Sequence, residues 1–315
     1  MKLAAKCLVL LAACTLLQIA CRKTTTPQAG TPAAAQLAAD ATPAPLISES
    51  ELKVAREQIE ADLKDEPENL HYNLGNVLAA AGKYDEAIAE YRKSLTVNRQ
   101  DPDAYLHLGD ALAALNRAGE AADAYQQSAR LNPKSADPFV HAGDLLMRQN
   151  QLDAALEAFQ QGAQADRRDP FAQARLGDVY RRLDRQTEAV KAYQQAVRLK
   201  PDYAEAYFSL GNAYDQTGQA KEAVSAYKQA ARLDPEDSDA FFNLGNTQSQ
   251  LGQIDAAIKS FEQALALKPD DADAHRVLGS LYLKQGNREA AQQQQAVLQK
   301  LNPEAAQSLA KELNQ

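Results

Sequence analysis

Small and apolar positions recur along the chain in a single register. Glycine stands at 75, 109, 143, 177, 211, 245 and 279, each step being 34 residues. An apolar residue precedes each one: Leu74, Leu108, Ala142, Leu176, Leu210, Leu244 and Leu278. Twelve residues after each glycine comes an alanine, from Ala87 to Ala291. Sixteen after it comes an aromatic in six of the seven copies: Tyr91, Tyr125, Phe159, Tyr193, Tyr227 and Phe261. Seven after each glycine stand Gly82, Asn116, Asn150, Asp184, Gly218, Gly252 and Gly286. These residue types enter the left-handed backbone region at least cost, so a first helix is expected to end there. Each copy thus predicts two amphipathic helices joined by a tight turn, with Gly and Ala allowing close approach and the aromatic filling the space between. Asp101-Pro102, Asp137-Pro138 and Asp169-Pro170 read as an N-cap followed by a first-turn proline.

The ends depart from the register, as the ends of a repeat array must to stay soluble. Ser48-x-x-Glu51 is a capping box that predicts a helix to about Lys64, half of a degenerate copy. At the other end Gln295 replaces the aromatic, and Glu304 to Leu313 predicts a final helix. Five of the seven copies also place proline 24 residues after the glycine, at 133, 201, 235, 269 and 303. These columns resemble the signature of the tetratricopeptide repeat (TPR) family. That resemblance implies an all-α, right-handed superhelical solenoid of seven tandem 34-residue helix–turn–helix repeats over 68–305. Capping helices are expected at 48–67 and 306–315.

The first residues follow another pattern. Lys2 and Lys6 precede an apolar stretch from Leu8 to Ala20, too short to span a bilayer comfortably and the right size for a signal-peptide core. Residues 1–20 resemble a bacterial lipoprotein signal, in which a small residue precedes a cysteine that takes the lipid. Leu11-Ala12-Ala13-Cys14 fits the box better, and Gln18-Ile19-Ala20-Cys21 gives the better core length. Lipidation is expected at Cys21, with Cys14 as the alternative. Residues 21–47, rich in Thr, Ala and Pro, read as a disordered tether.

Composition narrows the chemistry. The formal net charge is −8, which disfavours a nucleic-acid partner. All three cysteines, Cys7, Cys14 and Cys21, precede Arg22, so the body has no disulfide framework, thiolate site or cysteine nucleophile. The four histidines lie on different repeats rather than clustered as ligands, although His107 and His141, one repeat apart, could stack. Asp270, Asp271 and Asp273 lack the spacing of a calcium loop and suit helix capping better. No catalytic residue, metal, cofactor or small-molecule substrate is expected.

What remains is a surface. By resemblance, the first helices line the concave face, and the residue after each glycine faces that groove: Asn76, Asp110, Asp144, Asp178, Asn212, Asn246 and Ser280. Side-chain amides there can pair with the backbone of an extended peptide. Two residues before the glycine, the column used by asparagine ladders in this family keeps only Asn73 and Asn243. Three before it, no lysine occurs, so the carboxylate clamp of chaperone-binding TPR domains is not carried over; Tyr72, Phe208 and Phe242 offer apolar anchors instead. Arg175, Arg181, Arg182 and Arg185 form a basic island in the fourth repeat that could grip an acidic segment. The expected function is a membrane-anchored protein-interaction scaffold in the bacterial envelope, facing the periplasm and binding partner segments during assembly of a complex. The alternative is a structural tether or self-associating subunit.

Overall fold

The computed structural model describes residues 47–314, so the signal, both candidate lipidation cysteines and the tether up to residue 46 lie outside the described residues. The described residues form 16 α-helices and no strand. They divide into two compact units, meeting in sequence at Arg167 and Arg168.

Unit 1 begins with α1 (Glu49–Leu63), which the predicted capping box opens: Ser48 accepts from the Glu51 amide, and the Glu51 carboxylate accepts from the Ser48 amide at 2.7 Å. Three hairpins follow: α2 (Pro67–Ala80) with α3 (Tyr84–Val97), α4 (Pro102–Ala114) with α5 (Ala118–Leu131), and α6 (Asp137–Arg148) with α7 (Leu152–Ala165). Unit 2 holds four: α8 (Pro170–Arg182) with α9 (Gln186–Leu199), α10 (Ala204–Gln216) with α11 (Ala220–Leu233), α12 (Ser238–Gln250) with α13 (Ile254–Leu267), and α14 (Ala272–Gln285) with α15 (Arg288–Leu301). The last helix, α16 (Pro303–Leu313), packs on both α14 and α15.

All seven predicted turn residues have positive φ, from 56° at Asn116 to 84° at Gly286. Each is followed by an amide that reaches back to the carbonyl five residues earlier, such as Lys83 to Leu78 and Gln219 to Tyr214, both at 2.9 Å. This is the pattern that closes a helix through a left-handed residue. Asp101 and Asp169 cap α4 and α8 through their side chains, each ahead of a first-turn proline. Asp271 caps α14 in the same way. Asp137 does not cap: α6 starts one residue earlier than expected, with Ala136 at the cap and Asp137 already helical. Ser135 takes over locally, donating its hydroxyl to the Asp137 carboxylate and accepting the Asp137 amide.

The glycine column marks the closest approach within a hairpin. A Cβ on Gly75 would lie 2.5 Å from the Tyr91 ring, which is itself fully buried. Any side chain there must displace an aromatic held between two helices. In the last hairpin, where Gln295 stands at the aromatic position, Leu309 from α16 lies over Gly279 in the ring's place. Among the described residues no helix is long and apolar enough to cross a membrane.

Candidate functional site

In four of the hairpins the residue after the glycine, on the first helix, is bonded to the buried aromatic of the second. Tyr91 donates its hydroxyl to Asn76 Oδ1 at 2.8 Å, Tyr125 to Asp110 at 2.9 Å, Tyr193 to Asp178 at 2.7 Å and Tyr227 to Asn212 at 2.7 Å. Burial, reinforced by the neighbouring carboxylates, pushes the Tyr125, Tyr193 and Tyr227 hydroxyls far above the ordinary phenol range, so they stay protonated and able to donate. Where the aromatic is phenylalanine no such bond can form. Asn246, in the Phe261 hairpin, has no hydrogen-bond partner among the described residues. Asn76, Asp110, Asp178 and Asn212 are therefore partly committed inside the fold, and Asn246 is open.

A second set of bonds runs between hairpins, from the residue two before one glycine to the residue after the glycine before it. In unit 1 both rungs are histidines. His107 Nδ1 lies 3.0 Å from Asn76 Oδ1 and 3.2 Å from the Tyr72 hydroxyl, and its ring stacks on Tyr72 at 5.6 Å. His141 Nδ1 donates to Asp110 Oδ1 at 2.6 Å. Each histidine pairs with the preceding hairpin, and the two do not stack on each other. Burial pushes the His107 imidazole below its ordinary value, with Asp110 offsetting only part of that. For His141 burial also opposes the charge, but Asp110 outweighs it and the group is held above its ordinary value. Burial would raise Asp110, yet His141 holds it below the usual carboxylate range. With 39% and 38% of these two side chains still open to solvent, the pair is screened and its contribution modest.

In unit 2 the rungs are neutral or singly charged. Asn243 Nδ2 donates to Asn212 Oδ1 at 3.4 Å. Asp215 Oδ2 accepts from Tyr227 at 3.0 Å and from Thr247 of the next hairpin at 2.9 Å. Asn73 bonds back to the Asn69 carbonyl of its own helix and makes no rung. In the last hairpin the rung position is Val277, which ends the series.

Tyr72, Phe208 and Phe242 are half-buried rather than free, and each ring rests against the signature aromatic of its own hairpin. Tyr72 and Tyr91 lie 6.2 Å apart, Phe208 and Tyr227 5.9 Å, and Phe242 and Phe261 5.5 Å edge to face. Burial raises the Tyr72 hydroxyl to about 12. The basic island is dispersed. Arg175 Nη1 donates to Asp178 at 3.1 Å, and Arg185 pairs with Glu188 and stacks over the Tyr180 ring. Arg181 and Arg182 remain exposed.

Asp215 and Thr247 belong to this network although the repeat columns passed over them. The signal was present: at the second position after the glycine the chain reads Val77, Ala111, Leu145, Val179, Ala213, Thr247 and Leu281, so Thr247 alone is polar in an apolar column. Phe171, 49% exposed, forms with Tyr203 a second aromatic feature, the two rings flanking the Lys200 ammonium.

Six hairpins with these glycine–aromatic contacts, and a seventh in which Leu309 stands over the glycine, define an array of tetratricopeptide-type repeats. Residues 28–248 match the family model described as the cilia and flagella-associated protein 70 C-terminal domain, and residues 249–286 match the TPR repeat model. The first match covers more than half of the chain, which belongs to that TPR family. Among solved structures, the C-terminal part of a TPR repeat-containing protein from Cytophaga hutchinsonii superposes with a TM-score of 0.61 at 16% identity, over 74% of this chain and 95% of that one. Pseudomonas aeruginosa PilF gives 0.55 at 17% identity, over 67% and 97%. YrrB, described as a TPR protein with an unusual peptide-binding site, gives 0.50 at 24% identity, over 58% and 95%. At these identities the likeness is one of fold. A search of the curated proteins finds no match.

Proposed function

We propose that the chain is a protein-interaction scaffold that binds an extended partner segment along the first-helix face of unit 2. A lipid on Cys21, or on Cys14, holds it at a membrane of the bacterial envelope, facing the periplasm. The observation that carries the binding role is the combination on α10 and α12 of half-buried Phe208 and Phe242 with the open amide of Asn246. Apolar edges and an unused amide side by side suit a segment that inserts side chains while pairing its backbone. Binding of a peptide also suits a fold shared with YrrB, whose peptide-binding site is named in its description. The anchoring role rests on the Leu8–Ala20 core ending in Ala20-Cys21.

Two experiments test the parts separately. Peptides selected on the full chain from a random display library should lose affinity with Asn246→Ala and with Phe242→Ala; equal affinity for both variants and the parent rejects the face. Cys14→Ser and Cys21→Ser should divide, one releasing the protein from membranes and losing the lipid mass. If neither changes fractionation or mass, the lipoprotein reading fails.

A further inference from the structure

Where α10 meets α12 a carboxylate lacks a counter-ion. Asp215 Oδ2 lies 2.9 Å from the Thr247 hydroxyl and 3.0 Å from the Tyr227 hydroxyl, whose one proton is shared with Asn212 Oδ1 at 2.7 Å. Asp215 Oδ1 is shielded from solvent and has no hydrogen-bond partner. Among the described residues no lysine, arginine or histidine pairs with it, whereas Asp110 has His141 and Asp178 has Arg175. A shielded carboxylate oxygen without a donor is costly, and native folds keep such groups where something else satisfies them. The neighbours select what that is. Phe208 packs on the same Tyr227 ring whose hydroxyl Asp215 holds, and Asn212 and Asn243 bond to each other beside it. This place on α10 and α12 thus brings a negative charge, an aromatic edge and amide groups together.

We infer that this place is the anchor site for a lysine or arginine side chain of the bound segment, with Asp215 as its counter-ion. The inference rests on the proposed binding role of the same face and specifies its ligand. The aliphatic stem of the basic residue packs over Phe208 while its ammonium or guanidinium supplies the donors that Asp215 lacks. The carboxylate torsion of aspartate is broad, so Asp215 can turn its second oxygen toward an entering donor without leaving a rotamer well. The anchor is basic although the arginines of α8 invite an acidic segment, because Arg175 is already neutralised by Asp178 and Asp215 is not.

The test uses the full chain and a random peptide display library, followed by binding measurements on the strongest synthetic peptide. Enriched peptides should share one lysine or arginine. Replacing it by glutamine should weaken binding to the parent protein about ten-fold or more, equivalent to about 1.4 kcal/mol. The same replacement should have little effect on Asp215→Asn, because the two changes remove one interaction. Enriched peptides without a shared basic residue, or a glutamine effect that persists undiminished in Asp215→Asn, overturn the anchor while leaving the binding face in place. No enrichment at all overturns both. The library arm and the peptide replacement need only the parent protein, so the test survives a poorly folding variant.

Discussion

The two units use one backbone plan and tie its hairpins together differently. Unit 1 places histidines on its rungs, so each contact carries a titratable group: His107 against Asn76 and His141 against Asp110. Unit 2 uses Asn243 on Asn212 and Thr247 on Asp215, then stops at Val277. Among the described residues, unit 2 leaves the Asn246 amide unbonded and Asp215 Oδ1 shielded without a donor. Where the polar column is consumed internally the surface is scaffold; where it is left over, it is available to a ligand.

The comparison breaks most sharply at the end of unit 2, where one leucine does the work of an aromatic. Leu309→Ala should cost about 3 kcal/mol, the usual range for a buried leucine truncation. Hydrogen exchange should accelerate in α14, α15 and α16 and stay unchanged in unit 1; loss of protection in α2–α7 would show that the units do not fail separately. Smaller is the difference between two asparagines of the same column. Asn212 accepts from Tyr227 and Asn243, so Asn212→Ala should cost about 1–2 kcal/mol, while Asn246→Ala should stay within about 0.5 kcal/mol. Denaturant midpoints of the two variants decide it, and equal values would mean the tyrosine bond carries nothing.

The smallest effect is the dependence on pH. His141 has a raised folded value, so its stabilisation is present below the unfolded histidine value of about 6.5 and is lost as pH rises through the folded value. His107 is depressed, so it removes stability as pH falls below the same unfolded value. The two oppose each other. His107→Gln should leave a protein more stable near pH 6 than near pH 8, and His141→Gln the reverse, each by less than about 1 kcal/mol because the His141 pair is open to solvent. Chemical denaturation at the two pH values reads the slopes, and slopes of the same sign would refute the opposed-rung picture.

Much of this was legible beforehand. The turn residues follow from the cost of left-handed backbone, and the capping box at Ser48 and Glu51 follows from the spacing of two side chains along one helical turn. Asp137 was misplaced because a proline at the second helical position is as compatible with a helix start as one at the first. The site was only partly readable. Its columns can be listed from the repeat register, but whether an asparagine there is free depends on a hydroxyl fifteen residues later and on a partner thirty-one residues later. The tyrosine-or-phenylalanine choice encodes the first dependence and can be read from sequence. The second needs the stacking distance between hairpins, which no local pattern contains.

The leucine over Gly279 also bears on how such an array can lengthen. Every hairpin before it closes its glycine under an aromatic of its own second helix, so a copy inserted upstream brings that closure with it. The last one is closed by a residue borrowed from beyond the repeat, and α16 occupies the ground where another hairpin would sit. Growth by duplication is therefore directional: new copies must enter ahead of Gly279, and any addition after it has first to evict α16 and supply an aromatic at Gln295.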